Sequence, residues 1–485
     1  MTQIEKIAVI DIGSNSCRMV IYEQAGAALI PYFNEKTMAG LGRDLSETGR
    51  LSPSGKELAL RTFHRFRAIT SSLNIKTIRA VATAAVREAS DGADFQTQAE
   101  SILGVPIQVL TGADEGRLSA LGVQIGFLKP KGLVADLGGT SMELLSLGSD
   151  ETGETFLLGP LARSKDSSLS LEKRRKAIRK VLDRSALSAA HQGEKLYAVG
   201  GAWRNVAAVH MMLEKYPLRV AHGYVMSRSD VASVIEAADI ADSDKFTREQ
   251  LLGVSKRRFD TLLHAGLLLS ELMAHLDASK VVVSSFGLRD GVAAEGLDTN
   301  GANGLRDAVP LFLKASDETV AFGQELYRFI SPIADQFKQS EHLLRAVCMM
   351  GDAGARMHPD HRANLVYEQV LRAPIPSVSH SHRLFAAYAV ASRYTFKFDE
   401  EARYAGILGL NTKRRAKILG TAMRLAGVYS GRSGPILSTA RLEAVDGTLC
   451  MYVSRDNADL ISETVERRLG QLAGLMKAHP RLIVE

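Results

Sequence analysis

Two segments of this chain are versions of one another, and that repetition constrains the fold more than any other feature. KIAVIDIGSNSCRMVIY (residues 6–22) and KGLVADLGGTSMELLSL (131–147) each read as an apolar strand ending in Asp, a turn of small and polar residues, and a second strand. Their aspartates, Asp11 and Asp136, lie 125 residues apart, the length of a domain. The spacing predicts two related α/β domains. Between the copies, Ser54 to Leu73 reads as a helix, Ile78 to Ala82 as a strand, and a helix starts near Thr83; PIQVL follows as a strand and TGADEGRLSALGVQIG as a turn and helix. After the second copy, LYAVGGAWRNVAAV and KVVVSSFGLRDGVAAE each read as strand, glycine-containing turn and helix. Beyond Gly301 the texture changes: GANG reads as a linker, and the remainder as amphipathic helices with a short β element at RLEAVDGTLCMYVS. The expected division is residues 1–126, 127–303 and 304–485.

With 485 residues, 46% of them hydrophobic, the chain can bury several cores, and its 13 prolines give no sign of disorder. No apolar run approaches the ~20 residues that span a bilayer, and MTQIEKIAVIDIG lacks a basic segment followed by a cleavable apolar stretch. A cytoplasmic protein without membrane contact is expected. Cys17, Cys348 and Cys450 have no metal or CxxC spacing and read as three ordinary buried thiols. A net charge of +6 attracts polyanions without identifying one, and no pattern specifies a nucleic acid. From Arg163 to Arg184 the cations Lys165, Lys173, Arg174, Arg175, Lys176, Arg179 and Lys180 concentrate in a helix-like stretch, either a solvated face or a polyanion surface.

Both repeated turns suit phosphate, because consecutive backbone N–H groups in a tight turn bind an anion when small residues let it reach the main chain. The first offers Gly13, Ser14, Asn15 and Ser16 after Asp11; the second offers Gly138, Gly139, Thr140 and Ser141 after Asp136. One such turn is usually only a turn. Two at domain spacing, facing across a cleft, can hold phosphates from both sides. Period-two alternation puts Glu143 on the same face as Ser141. Thr83 stands where it could cap a helix, with Arg87 one turn on, and Asp114 and Glu115 stand at a helix start, where acids complement the dipole.

These residues resemble the paired phosphate-binding hairpins of the actin, sugar kinase and heat-shock chaperone superfamily. More closely, DIGSNSCRMV, VATAAVREA, VLTGADEGRLSALGV and DLGGTSMEL, with AVGGAWRNVA and SSFGLRDGV, resemble the exopolyphosphatase and guanosine pentaphosphate phosphohydrolase family. The resemblance runs from the N-terminus to about Gly291 and is looser beyond. It implies two actin-like (ribonuclease H-like) α/β domains with a cleft between them, then a mostly helical C-terminal domain, in a homodimer. It implies that Glu115 positions or deprotonates water, that Arg87 holds phosphate, and that Mg2+ sits on Asp136 and Glu143, with Asp11 contributing from the opposing hairpin. Mg2+ needs only one or two carboxylates, phosphate oxygens and waters. The family usually has two glutamates where this chain has Asp114 and Glu115, which favours Glu115. Gly200 and Gly201 fall where kinase relatives approach adenosine; with Trp203 and Arg204 following, they are expected to line a phosphate channel.

Two departures stand out. The family tends to place Arg before the LG of MAGLGRDL; Gly40 stands there, and Arg43 is the candidate substitute. MMGDAGARMHPDHR and SHSHRL resemble the metal-binding HD phosphohydrolase domain of longer members, but Gly351 precedes Asp352 where His should. A degenerate HD-like domain is expected, serving dimerisation and extending the polyanion surface, with His358, His361, His380 and His382 as surface or structural residues. The leading expectation is release of orthophosphate from inorganic polyphosphate, the alternative is hydrolysis of guanosine pentaphosphate at the same site, and from other classes come a kinase- or chaperone-like ATP-binding protein and a silent polyphosphate-binding regulator.

Overall fold

The computed structural model describes residues 4–148, 153–163, 169–241, 243–256, 258–297, 301–399, 404 and 406–485, with backbone alone at 301–303. The chain divides into two compact units, residues 4–301 and 302–485. Among the described residues no helix is long and apolar enough to cross a membrane.

The first unit holds two sheets of one design. Strands β1 (Glu5–Ile12), β2 (Cys17–Ala25), β3 (Ala28–Thr37), β4 (Thr77–Ala82) and β5 (Ile107–Val109) are ordered β3-β2-β1-β4-β5, an antiparallel meander followed by parallel crossovers. Strands β6 (Gly132–Leu137), β7 (Met142–Leu147), β8 (Glu154–Phe156), β9 (Leu196–Val199), β10 (Val225–Ser227) and β11 (Lys280–Val283) repeat the plan as β8-β7-β6-β9-β11, with β10 added antiparallel at the edge. This is the actin-like α/β arrangement that the repeated hairpins predict. Both sheets are covered on two faces, so their strands are apolar at successive positions rather than alternating with polar ones. In β1, Ala8, Ile10 and Ile12 face one core while Ile7 and Val9 face another.

The helix Gly112–Gly126 lies between the sheets. Leu118 and Ile125 pack toward β1 and β2, and Ala120 and Val123 toward β6, β7 and β9. It crosses the short helix Leu288–Ala294 at contact distance of the backbones: a Cβ on Gly122 would lie 2.2 Å from the Gly287 carbonyl oxygen, and one on Gly291 would lie 1.8 Å from that of Leu118. Only glycine allows this approach. Leu288–Ala294 follows the second sheet in sequence yet shares the core of β1 and β2.

The second unit is mostly helical. The GANG segment, read as a linker, is instead the start of a helix, Gly301–Leu313. Strands β12 (Ala440–Val445) and β13 (Thr448–Val453) form the expected β element, and β14 (His479–Val484) joins β13 in parallel. HPRLIV gave no strand signal because four of its six residues are not β-formers. All three cysteines are free and buried.

Candidate active site

The two repeated turns meet. Each is closed the same way, Gly13 N–H donating to Ser16 O at 3.1 Å and Gly138 N–H to Ser141 O at 2.9 Å. The hydroxyls of Ser14 and Thr140 stand 3.4 Å apart. Each turn is also held from behind, by Gly42 and Gly40 donating to the carbonyls of Ser14 and Asn15, and by Leu161 and Gly159 donating to those of Gly139 and Thr140. With the carbonyls tied back, the N–H groups of Ser14, Asn15, Gly139 and Thr140 meet no protein acceptor among the described residues. They line one cleft together with Asp11, Gly13, Ser16, Glu115, Asp136, Gly138, Ser141, Glu143, Gly200 and Gly201. A pair of facing N–H cradles is an anion site in two halves.

The repeat breaks its own symmetry one turn further on. Asp11 pairs across its hairpin with Arg18, whereas Asp136 pairs across the other with Glu143. The first hairpin is therefore neutral at this level and the second carries two carboxylates. Asp11 accepts from Arg289 at 2.8 Å. Asp136 accepts from Ser119, and Glu143 from Ser141 at 2.5 Å; neither has an ion-pair partner among the described residues. Burial raises the pKa of both, and Glu115 nearby pushes Glu143 further up. Two crowded carboxylates without a direct ion pair fit the needs of Mg2+, although Arg204 and Arg289 temper Asp136 and Arg87 tempers Glu143. No group of three His, Cys, Asp or Glu able to hold a metal occurs among the described residues.

Glu115 is freed for the cleft by its neighbour. Thr111 and Asp114 form a capping box, the Thr111 hydroxyl accepting from Asp114 N–H at 3.1 Å and the Asp114 carboxylate from Thr111 N–H at 3.2 Å. Asp114 thus caps the helix, while Glu115, one residue on, turns inward with its side chain 12% exposed. Its pKa rises to about 7 through burial, opposed by Arg87 and reinforced by Asp136 and Asp11. A carboxylate poised near neutrality beside two N–H cradles suits proton transfer from water.

A family model described as the Ppx/GppA phosphatase family matches residues 20–300, more than half of the chain. The chain belongs to this family. A second model, the exopolyphosphatase C-terminal domain, matches residues 321–483. An Aquifex aeolicus Ppx/GppA family member is similar at 22% identity and TM-score 0.53, covering 61% of this chain and 98% of its own. An exopolyphosphatase from Cytophaga hutchinsonii is similar at 21% identity and TM-score 0.54, covering 61% and 99%.

In this Ppx/GppA phosphatase the cleft also holds Arg204, which follows the Gly200–Gly201 turn, and four cations that sequence reasoning missed: Arg18, Lys36, Arg258 and Arg289. Burial and neighbouring cations lower the pKa of Arg18, Lys36, Arg204 and Arg258, whereas Asp11 holds that of Arg289 up against its burial. Burial with Arg258, Arg18 and Arg289 brings Lys36 to about 8, and burial with Arg289 and Arg258 brings Arg204 to about 10. Arg18 was legible, since it stands to Ser16 as Glu143 stands to Ser141, and Lys36 pairs with it across β2 and β3. Arg258 had no local signal. Gly201 makes room for it, as a Cβ there would lie 2.1 Å from its guanidinium, and Gly200, at φ +104°, has no room for a Cβ against the Leu137 carbonyl.

Other expectations shift. Arg87 lies outside the cleft lining; its Nη1 donates to Glu115 at 2.8 Å and to Leu110 O at 2.5 Å, which sets it behind the acid. Thr83 precedes the helix Ala84–Glu88 without capping it through its side chain, and it lines the cleft instead. Arg43 lies over Gly40, its Nη2 2.9 Å from where a Cβ would stand, and not in the cleft. In the basic segment Lys165 lies outside the described residues. The helix Leu171–Leu182 carries the rest away from the cleft lining, with Arg175 and Arg179 paired to the buried Glu271. In the second unit His358 is exposed and His380 buried, and burial lowers the pKa of His382. The rings of His358 and His361 stand 5.7 Å apart.

Proposed function

We propose that this phosphatase is an exopolyphosphatase that releases terminal orthophosphate from inorganic polyphosphate. The observation that carries this reading is the cleft wall of Arg18, Lys36, Arg204, Arg258 and Arg289 facing two N–H cradles, with the Arg258 guanidinium lying against Gly201. Relatives that bind nucleosides use the space at that glycine for a base and sugar; a guanidinium there suits another phosphate. Five cations also outnumber what one terminal phosphate needs, and a chain of phosphates can engage them together. The match to the exopolyphosphatase C-terminal model supports the same reading.

In the proposed reaction the cradles of Ser14, Asn15, Gly139 and Thr140 hold the terminal phosphoryl group in line with a water beside Glu115. The water oxygen attacks phosphorus, Glu115 accepts a water proton, and the P–O bond to the next phosphate breaks with its electron pair leaving on the shortened chain. Asp136 and Glu143 would hold Mg2+, which when bound neutralises charge on the phosphate oxygens. Arg87 keeps Glu115 oriented and more acidic than burial alone would leave it.

The test measures orthophosphate release from polyphosphate and from guanosine pentaphosphate side by side with Mg2+. A higher kcat/KM for polyphosphate is expected. A clear preference for guanosine pentaphosphate would overturn the reading and transfer the same chemistry to the nucleotide.

A further inference from the structure

The segment that resembles an HD metal site lines a cavity of a different character. Within the second unit, a cavity of about 360 Å³ is bounded by Asp352, Arg362, Arg393, Tyr394, Arg424 and Arg432. That volume falls in the range of about 300–1,000 Å³ usual for small-ligand sites. Asp352 is the single acid among its described lining residues, and it is committed: Arg393, itself buried, donates to it at 2.5 Å and also to the Gly351 carbonyl. The Tyr394 hydroxyl donates to that same carbonyl at 2.9 Å. The carboxylate that an HD domain would turn toward a metal is here neutralised from behind by an arginine.

Three arginines remain in excess. Arg362 and Arg424 make no side-chain hydrogen bond or ion pair among the described residues, and Arg432 reaches Asp352 only at 4.0 Å. The Arg362 Nε is buried with no hydrogen-bond partner, its guanidinium 5.6 Å from the Tyr394 ring centre. An orphaned buried donor on a charged group is costly to leave unmet. Burial, with Arg468 and Arg467 nearby, pulls the Arg424 pKa down to about 10, the signature of positive charge without a counter-charge. Guanidinium groups with free forks around one cavity match an oxyanion with several acceptor oxygens.

We propose that this cavity is a second anion site, independent of the catalytic cleft, in which Arg362, Arg424 and Arg432 bind a phosphate-class oxyanion. The proposal does not rest on the hydrolytic reading, since it concerns residues of the second unit alone. Two sources share this chemistry: free orthophosphate, and the end of a short phosphate chain.

The test uses the full chain carrying Glu115→Gln to prevent turnover, titrated calorimetrically with sodium orthophosphate and, separately, with sodium tripolyphosphate. Two binding events per chain are expected for at least one of them. Orthophosphate filling the second site as tightly as tripolyphosphate identifies the free ion, and tripolyphosphate binding at least tenfold tighter identifies a chain end. Arg362→Gln with Arg424→Gln should abolish the second event and leave the first in place. Because that pair lies partly inside the unit, the exposed Arg432→Glu serves as a variant that does not threaten folding, and it should weaken the second event at least tenfold. In the Glu115 background both variants should hydrolyse tripolyphosphate with unchanged kcat. The absence, with both anions, of any binding event that these variants weaken overturns the proposal, whereas a single event that they abolish upholds it and counts instead against anion binding in the cleft.

Discussion

Arg87 and Glu115 are held together at 2.8 Å, with the same guanidinium nitrogen also donating to the Leu110 carbonyl, so the acid and its cation are fixed to one another and to the backbone. Burial pushes the Glu115 carboxyl to about 7 and Arg87 pulls against that push. Glu115→Gln keeps the shape and removes the base, so kcat should fall by about 10²-fold or more with KM little changed. Near-normal turnover would falsify the assignment.

Arg87→Gln separates two roles for that arginine. If it tunes Glu115, its loss raises the carboxyl pKa, and the rising limb of kcat against pH, expected near 7, should move to higher pH with KM nearly constant. A phosphate ligand would instead raise KM and leave the limb in place. The pH profile of kcat and of KM decides between them.

Lys36 sets the other side of the profile. It loses its proton above about 8, where the cleft loses one positive charge, so kcat/KM for polyphosphate should decline through that pH. Lys36→Arg keeps the charge at higher pH and should remove the decline. A decline that persists unchanged in Lys36→Arg assigns it to another group.

The acids of the second hairpin trade stability for function. Glu143 has a pKa raised well above its ordinary value, so between the unfolded-state pKa of about 4.3 and the native value the folded protein holds the proton more tightly. Stability from this group is therefore lost as pH rises through that window. Without Mg2+, Glu143→Gln should melt higher than the parent at pH 8 and equally at pH 4, while losing Mg2+-dependent activity. Equal melting temperatures at both pH values would show that the carboxylate is not strained.

Salt dependence locates the polyanion surface. Binding through several ion pairs releases counterions, so polyphosphate affinity should fall with added salt, more steeply for long chains. Arg258→Gln should flatten that slope because Arg258 lines the cleft. Lys173→Gln with Lys176→Gln should not, because both sit on the exposed face of a helix outside the cleft lining. A flattened slope in the lysine pair would return the basic helix to the substrate path.

The sequence by itself determined the duplicated α/β plan, the two turns, the aspartates that end the strands before them and the glutamate that follows the second. These are local: a strand's period of two and a turn's need for small residues are written in consecutive positions, which is why Glu143 could be set beside Ser141 before any coordinates. The choice of Glu115 over Asp114 was legible only through family resemblance, and its physical reason, a capping box that occupies Asp114, needed the helix end to be seen. Tertiary structure alone decided the rest. Arg258 and Arg289 reach the cleft from elements more than 100 residues beyond either turn, and Gly122 and Gly291 matter because two helices distant in sequence cross at backbone contact. In sequence Arg87 is only a cation one turn into a helix start; its pairing with Glu115 at 2.8 Å is visible only in the folded chain. Charge compensation depends on distance through space, and a single sequence records only order along the chain.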